Sequence, residues 1–173
     1  MVQLNSNLFF TTPDETPPGV VITAPISGEV LPIEDHTEAL FSNRTLGEGV
    51  VLKITGNQII APFDGSVLEL PTTGHRIQLV SDNGIRLLIT MGSHCNELMG
   101  QGFKLNVRQG QAIKQGQLLL QFDIRLLQSV NPALECPVII TNSEKLGQIY
   151  VSRRRITQGE DPLFTLIKKK EKL

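Results

Sequence analysis

The sequence predicts an all-β protein, a sandwich or a barrel. Three observations carry this: short apolar runs with period two, turn residues between nearly all of them, and a scarcity of helical periodicity. The elements follow in chain order. Residues 1–19 end in Pro17-Pro18-Gly19 and are expected to form a flexible arm, with Leu8, Phe9 and Phe10 as its means of docking. A first strand is expected at 20–23, and a second at 28–33 after Ser27-Gly28. Residues 50–54 form the next run, which Thr55-Gly56-Asn57 separates from 58–60. Asp64-Gly65 introduces 66–70. The runs 75–80 and 85–90 flank Asp82-Asn83-Gly84, the strongest short-range hairpin signal in the chain. Gln115-Gly116 divides 112–113 from 118–122. Strands at 137–141, 149–151 and 163–167 complete the set. Only 124–129, before Asn131-Pro132, and 142–145 offer a turn or two of helix.

Two stretches echo each other. Residues 24–33 and 61–70 share A-P-x-x-G-x-V-L-x-(I/L), a proline-led turn, a glycine where a positive φ is expected and then a strand, and 110–123 is a looser relative. The copies are too few for a solenoid. Composition adds limits. Of the 173 residues, 40% are hydrophobic, enough for a core in one domain. A net charge of −1 provides no basic field for nucleic acid. Cys95 and Cys136 form no CxxC pair and read as reduced thiols of a cytoplasmic protein. No segment has the roughly 20 apolar residues of a membrane-spanning helix, and the N-terminus is a poor signal peptide.

The hairpin raises a chemical question. A two-residue loop at Asn83-Gly84 sets Ile77 opposite Thr90, and one at Asp82-Asn83 sets His75 opposite Thr90. Either puts His75, Ile77 and Leu79 on the face of Arg86, Leu88 and Thr90; an odd loop would break that assignment. Thr73 lies two residues before His75, and a hydroxyl beside an imidazole can fix its tautomer. The alternative reading is a surface histidine with polar neighbours.

The stretches "APISGEVLPIED", "GEGVVLKITGNQIIAPFDGSV", "TTGHRIQLVSDNGIRLLI", "GFKLNVRQGQAIKQGQLLLQFD" and "CPVIITN" occur in order. Together they resemble the glucose-type enzyme IIA of the bacterial phosphoenolpyruvate–sugar phosphotransferase system, over residues 20–168. The resemblance implies an antiparallel β-sandwich with barrel-like closure, followed by a basic tail at 169–173. It implies a domain that takes a phosphoryl group from the phosphocarrier HPr and passes it to a sugar transporter. In that family one histidine accepts the phosphoryl group, and a second, held by a threonine, stabilises it. The supporting pair corresponds here to Thr73 and His75. The acceptor motif reads Leu88-Ile89-Thr90-Met91-Gly92, so Thr90 stands where the acceptor histidine is expected. A phosphothreonine ester is far more stable than a phosphohistidine, and orthodox relay through position 90 should fail.

A loop position that is usually acidic in the family is His94 here, a possible substitute acceptor. His75, His94 and Cys95 have ligand types that suit zinc, but their spacing matches no zinc signature, and Cys95 reads better as an apolar filler. No metal or cofactor is assigned. The rim of the family's site is an apolar docking patch, matched here by Leu40, Phe41, Leu46 and Leu88, with Pro71 in place of an aromatic; the same residues also read as ordinary core or surface apolars. Arg153-Arg154-Arg155 and the lysines from Lys168 to Lys172 read as solvated charge, with at most peripheral contact to an anionic membrane. Two functions remain. One is a binding or regulatory component that cannot carry phosphate at the usual position, its partners an HPr-like phosphocarrier, a sugar transporter or a regulated enzyme. The other is a working phosphocarrier using His75 or His94.

Overall fold

The computed structural model describes residues 6–92 and 94–170; residues 1–5, Ser93 and the tail end 171–173 lie outside the described residues. The order is β1 (Leu8–Phe10), β2 (Val20–Thr23), β3 (Gly28–Pro32), α1 (Ala39–Ser42), β4 (Glu48–Ile54), β5 (Gln58–Ile60), β6 (Gly65–Glu69), β7 (Arg76–Ser81) and β8 (Arg86–Thr90). Then come β9 (Phe103–Leu105), β10 (Ala112–Ile113), β11 (Leu118–Phe122), α2 (Ile124–Val130), β12 (Glu135–Ile140), β13 (Leu146–Val151), β14 (Arg155–Ile156) and β15 (Pro162–Lys168).

The strands form three sheets. The largest runs β10-β6-β7-β8-β12-β4-β3-β14, a second runs β1-β13-β15-β2, and a third β5-β11-β9. One continuous core takes side chains from all three, including Leu52, Ile89, Leu119, Ile149 and Phe164. The arrangement is sandwich-like, and among the described residues none of the sheets closes into a barrel, which corrects the expected closure. Each proline-led repeat turns into a strand, but the positive φ expected of its glycine is absent, since neither Gly28 nor Gly65 adopts one. Each glycine starts its strand, Gly28 in β3 and Gly65 in β6, where a Cβ would strike the backbone of the neighbouring strand. Helix α2 begins where Asp123 caps it, its carboxylate accepting from the amides of Arg125 and Leu126.

The flexible-arm expectation is corrected for residues 8–10. β1 pairs in parallel with β13, Leu8 opposite Ile149 and Phe10 opposite Val151, an exception to the antiparallel pattern. The Asn7 side chain donates to the carbonyls of Ser143 and Leu146. Phe9 meets Tyr150 at 5.9 Å between ring centres, and the Arg154 guanidinium lies 4.4 Å from the centre of Phe10. So the arginine run is more than solvated charge. Arg154 helps hold the arm, Arg153 reaches Asp161 at 3.7 Å, and Arg155 sits opposite Glu29 in the sheet.

Candidate functional site

The β7–β8 hairpin has an odd loop. Ser81 N–H donates to Ile85 O, Gly84 N–H donates to Ser81 O, and Gly84 adopts φ +89. The three residues Asp82-Asn83-Gly84 therefore form the turn, with glycine at its left-handed position. Arg76 then pairs with Thr90, Ile77 with Ile89, and Gln78 with Leu88. This overturns both expected registers and the shared face drawn from them. Ile77 and Leu79 point into the core with Leu87 and Ile89, all sealed from solvent. Thr90, Leu88 and Arg86 occupy the other, outer face, with Arg76, Gln78 and Val80.

His75 precedes β7 in a bend, so the strand's alternation does not reach it. Its ring is half-buried, unlike the sealed side chains of Ile77 and Leu79. Its carbonyl accepts from Met91 N–H at 2.9 Å, which fixes it at the hairpin mouth beside the end of β8. Thr73 Oγ1 lies 2.6 Å from His75 Nδ1, the contact that the sequence suggested. Two arrangements of the proton follow. With Thr73 donating, Nε2 carries the ring proton and donates; with Nδ1 donating, Nε2 presents its lone pair. Burial lowers the pKa of His75, and the adjacent Arg76 charge lowers it further, against an opposing effect of Glu69. The neutral ring therefore prevails at pH 7.

Thr90 is 8% exposed. Its hydroxyl oxygen accepts from Gly92 N–H at 3.3 Å, and no hydrogen bond joins it to the His75 ring among the described residues. The chain beyond it is anchored by Asn131, whose amide donates to Met91 O and Glu135 O, both at 3.0 Å.

The family model for the phosphoenolpyruvate-dependent sugar phosphotransferase system, EIIA 1, matches residues 20–146. The chain belongs to this EIIA family. It is 34% identical over 149 residues to the PTS system glucose-specific EIIA component of Haemophilus influenzae, covering 86% of this chain and 90% of that one. It is 35% identical over 130 residues to the PTS system glucose-specific EIIBCA component of Corynebacterium glutamicum, covering 75% of this chain but 19% of that larger protein. In fold it is similar to glucose permease IIA from Mycoplasma capricolum, with TM-score 0.75 and 22% identity, covering 86% of this chain and 96% of that one.

The other expected site residues of this EIIA chain separate. His94 opens the 3-10 turn Cys95–Leu98, is largely exposed, and sets Nδ1 3.2 Å from Glu97 Oε1. Cys95 is sealed, and its thiol donates to Met91 O. Burial pushes that thiol up to about 12, which disfavours the thiolate a metal would need. Among the described residues, no three His, Cys, Asp or Glu side chains gather as a metal-holding group.

The apolar rim divides in the same way. Ile139 pairs with Leu88 and Val51 with Pro137, so Val51 and Ile139 share the outer face of Leu88 and Thr90. Over that face lies a small second core of Ile33, Phe41, Val51 and Ile139, with Leu31 and Leu46 packed against it. Phe41 is 7% exposed and meets His36 edge-on at 5.2 Å. It therefore builds the cap over the sheet and is not a free docking residue. Leu40 is 46% exposed on the same short helix, α1, and Leu88 is partly exposed. Sequence reasoning missed two neighbours of His75. Arg76 donates through Nε at 3.1 Å and Nη2 at 2.7 Å to Glu69 Oε1. The period-two pattern marked Arg76 as part of a strand but gave no sign that it faces Thr90.

Proposed function

We propose that this chain is an EIIA-type component that does not carry phosphate at position 90 and acts as a binding or regulatory protein. The observation that supports this is the setting of Thr90. Its hydroxyl meets a backbone N–H, which stabilises the oxygen but takes no proton, and no imidazole or carboxylate hydrogen-bonds to it among the described residues. An alcohol without a base is a poor nucleophile at neutral pH, and its phosphate ester is a poor donor afterwards. The partners of this reading are an HPr-like phosphocarrier, a sugar transporter or a regulated enzyme, met in a reducing cytoplasm. Leu40, exposed on the helix that carries Phe41, and the partly exposed Leu88 of β8 supply apolar contact.

A second reading rests on His75. Its ring is held at Nδ1 and kept neutral, so the Nδ1–H tautomer offers Nε2 as a nucleophile. Transfer would form an Nε2–phosphorus bond as the nitrogen–phosphorus bond of the donor phosphohistidine breaks. His94 is a second candidate acceptor: it is exposed, and with Nδ1–H donating to Glu97 its Nε2 keeps a lone pair. Incubation with phosphoenolpyruvate, enzyme I and HPr, followed by mapping of acid-labile phosphate, separates the readings. The first expects label on Thr90→His and none on the unaltered chain. Label on the unaltered chain that disappears in His75→Gln or His94→Ala establishes the second.

A further inference from the structure

We propose that the outer face of the largest sheet joins two copies of this chain through a self-complementary row of charges, Arg155, Glu29, Lys53 and Glu135, about a two-fold axis between β3 and β4.

The strand register puts these four residues in one line. Arg155 pairs with Glu29, Glu29 with Lys53, and Lys53 with Glu135, so the row crosses β14, β3, β4 and β12. Residues paired across an antiparallel sheet share a face, and neighbouring strands lie about 4.8 Å apart, so four alternating charges stand in a row about 14 Å long. The residues next to them in each strand, Val30, Leu52, Cys136 and Ile156, are sealed in the core, which puts the row on the outer face. Arg155, Glu29 and Lys53 are exposed and Glu135 is partly so. The cap of Ile33 and Phe41 covers the next outward position of β4, Val51, and leaves the row open. Each charge has an opposite charge beside it, yet none of the four forms an ion pair among the described residues. All four are therefore available to a partner.

The order plus, minus, plus, minus fits its own copy. A two-fold axis that runs along the strands between Glu29 and Lys53 reverses the row. Arg155 then faces Glu135 of the second copy, and Glu29 faces its Lys53, each contact occurring twice. All four contacts are attractive. An axis displaced onto β3 would oppose two Glu29 carboxylates, and one displaced onto β4 would oppose two Lys53 ammonium groups, so the pattern also fixes the register of the pair. Exposed ion pairs are individually weak and screened by salt, so the dimer is weak and salt-sensitive.

The test is analytical ultracentrifugation of the whole chain from micromolar to millimolar concentration, at low and at high salt. A concentration-dependent dimer that dissociates as salt rises is expected. Glu29→Lys and Lys53→Glu should each weaken it by about tenfold or more, since each turns two attractive contacts into repulsive ones, and Lys53→Gln should weaken it less. An equal mixture of Glu29→Lys and Lys53→Glu chains should form a mixed dimer, because the two altered rows oppose each other charge for charge. Both substitutions in one chain should restore self-association. A wild type that stays monomeric at millimolar concentration in low salt overturns the proposal. So does a dimer that the single reversals leave unchanged with the fold intact by circular dichroism, or a mixture of the reversed chains that fails to pair. A monomeric wild type whose binding to HPr falls in Lys53→Glu assigns the row to that partner and overturns the second copy as its occupant.

Discussion

Replacement of Phe41 by alanine separates a structural from a docking role for the apolar rim. Phe41 fills a small core with Ile33, Val51 and Ile139, and its ring also receives the edge of His36. It is 7% exposed, so truncation removes nearly a full phenyl ring from a packed site. Phe→Ala changes at such positions cost about 3–5 kcal/mol. For a domain of this size, each kcal/mol lowers Tm by about 2–4 °C, so Phe41→Ala should melt roughly 6–20 °C below wild type. Leu40 sits on the same helix but in solvent, and Leu40→Ala should stay within about 0.5 kcal/mol. Denaturant unfolding of the two variants measures both costs. A Phe41→Ala chain within about 1 kcal/mol of wild type would refute the packing argument and return Phe41 to the docking surface.

Other outcomes follow from the same contacts. Gly92→Ala should lose about 1–3 kcal/mol or more, because φ is +105 and the new Cβ strikes the Asn131 amide that ties Met91 to Glu135; thermal melting checks it. His75 should titrate below 6.5 in an NMR pH series. Since its folded pKa is depressed, the neutral ring favours the fold, and that modest contribution is present above 6.5 and fades as pH falls toward the folded value. Glu48 behaves oppositely. Burial outweighs Arg44 and raises its pKa, so the wild type should lose ground against Glu48→Gln as pH rises above 4.5, measured by urea unfolding across pH. Cys95 and Cys136 should resist a thiol reagent in the native chain and react on unfolding, because both are sealed and burial raises both pKa values.

Much of this protein can be read in its sequence because each strand states its own period. Residues 20–23, 58–60, 112–113 and 118–122 appear as strands with the bounds expected of them. β1, β9 and β14 were invisible for a physical reason. They gain their conformation from pairing with β13, β11 and β3. Helix α1 was missed likewise, since its four residues are held by Phe41 packing on the sheet rather than by a cap or a periodic face. The hairpin failed at one residue. The turn signal suggests a two-residue loop at Asn83-Gly84 or Asp82-Asn83, yet the Ser81 hydroxyl accepts from Ile85 N–H and the turn runs over three residues. That one residue moves Thr90 to the outer face and sets it opposite Arg76. The contact between Thr73 and His75 survived the error because it is local, two residues apart in one bend.

The most direct measurement is the intact mass of the wild-type chain after incubation at neutral pH with phosphorylated HPr in excess. An unchanged mass, beside a Thr90→His chain that gains one acid-labile phosphoryl group, is the predicted result. A wild-type chain that takes up the group and returns it to unphosphorylated HPr would contradict the account.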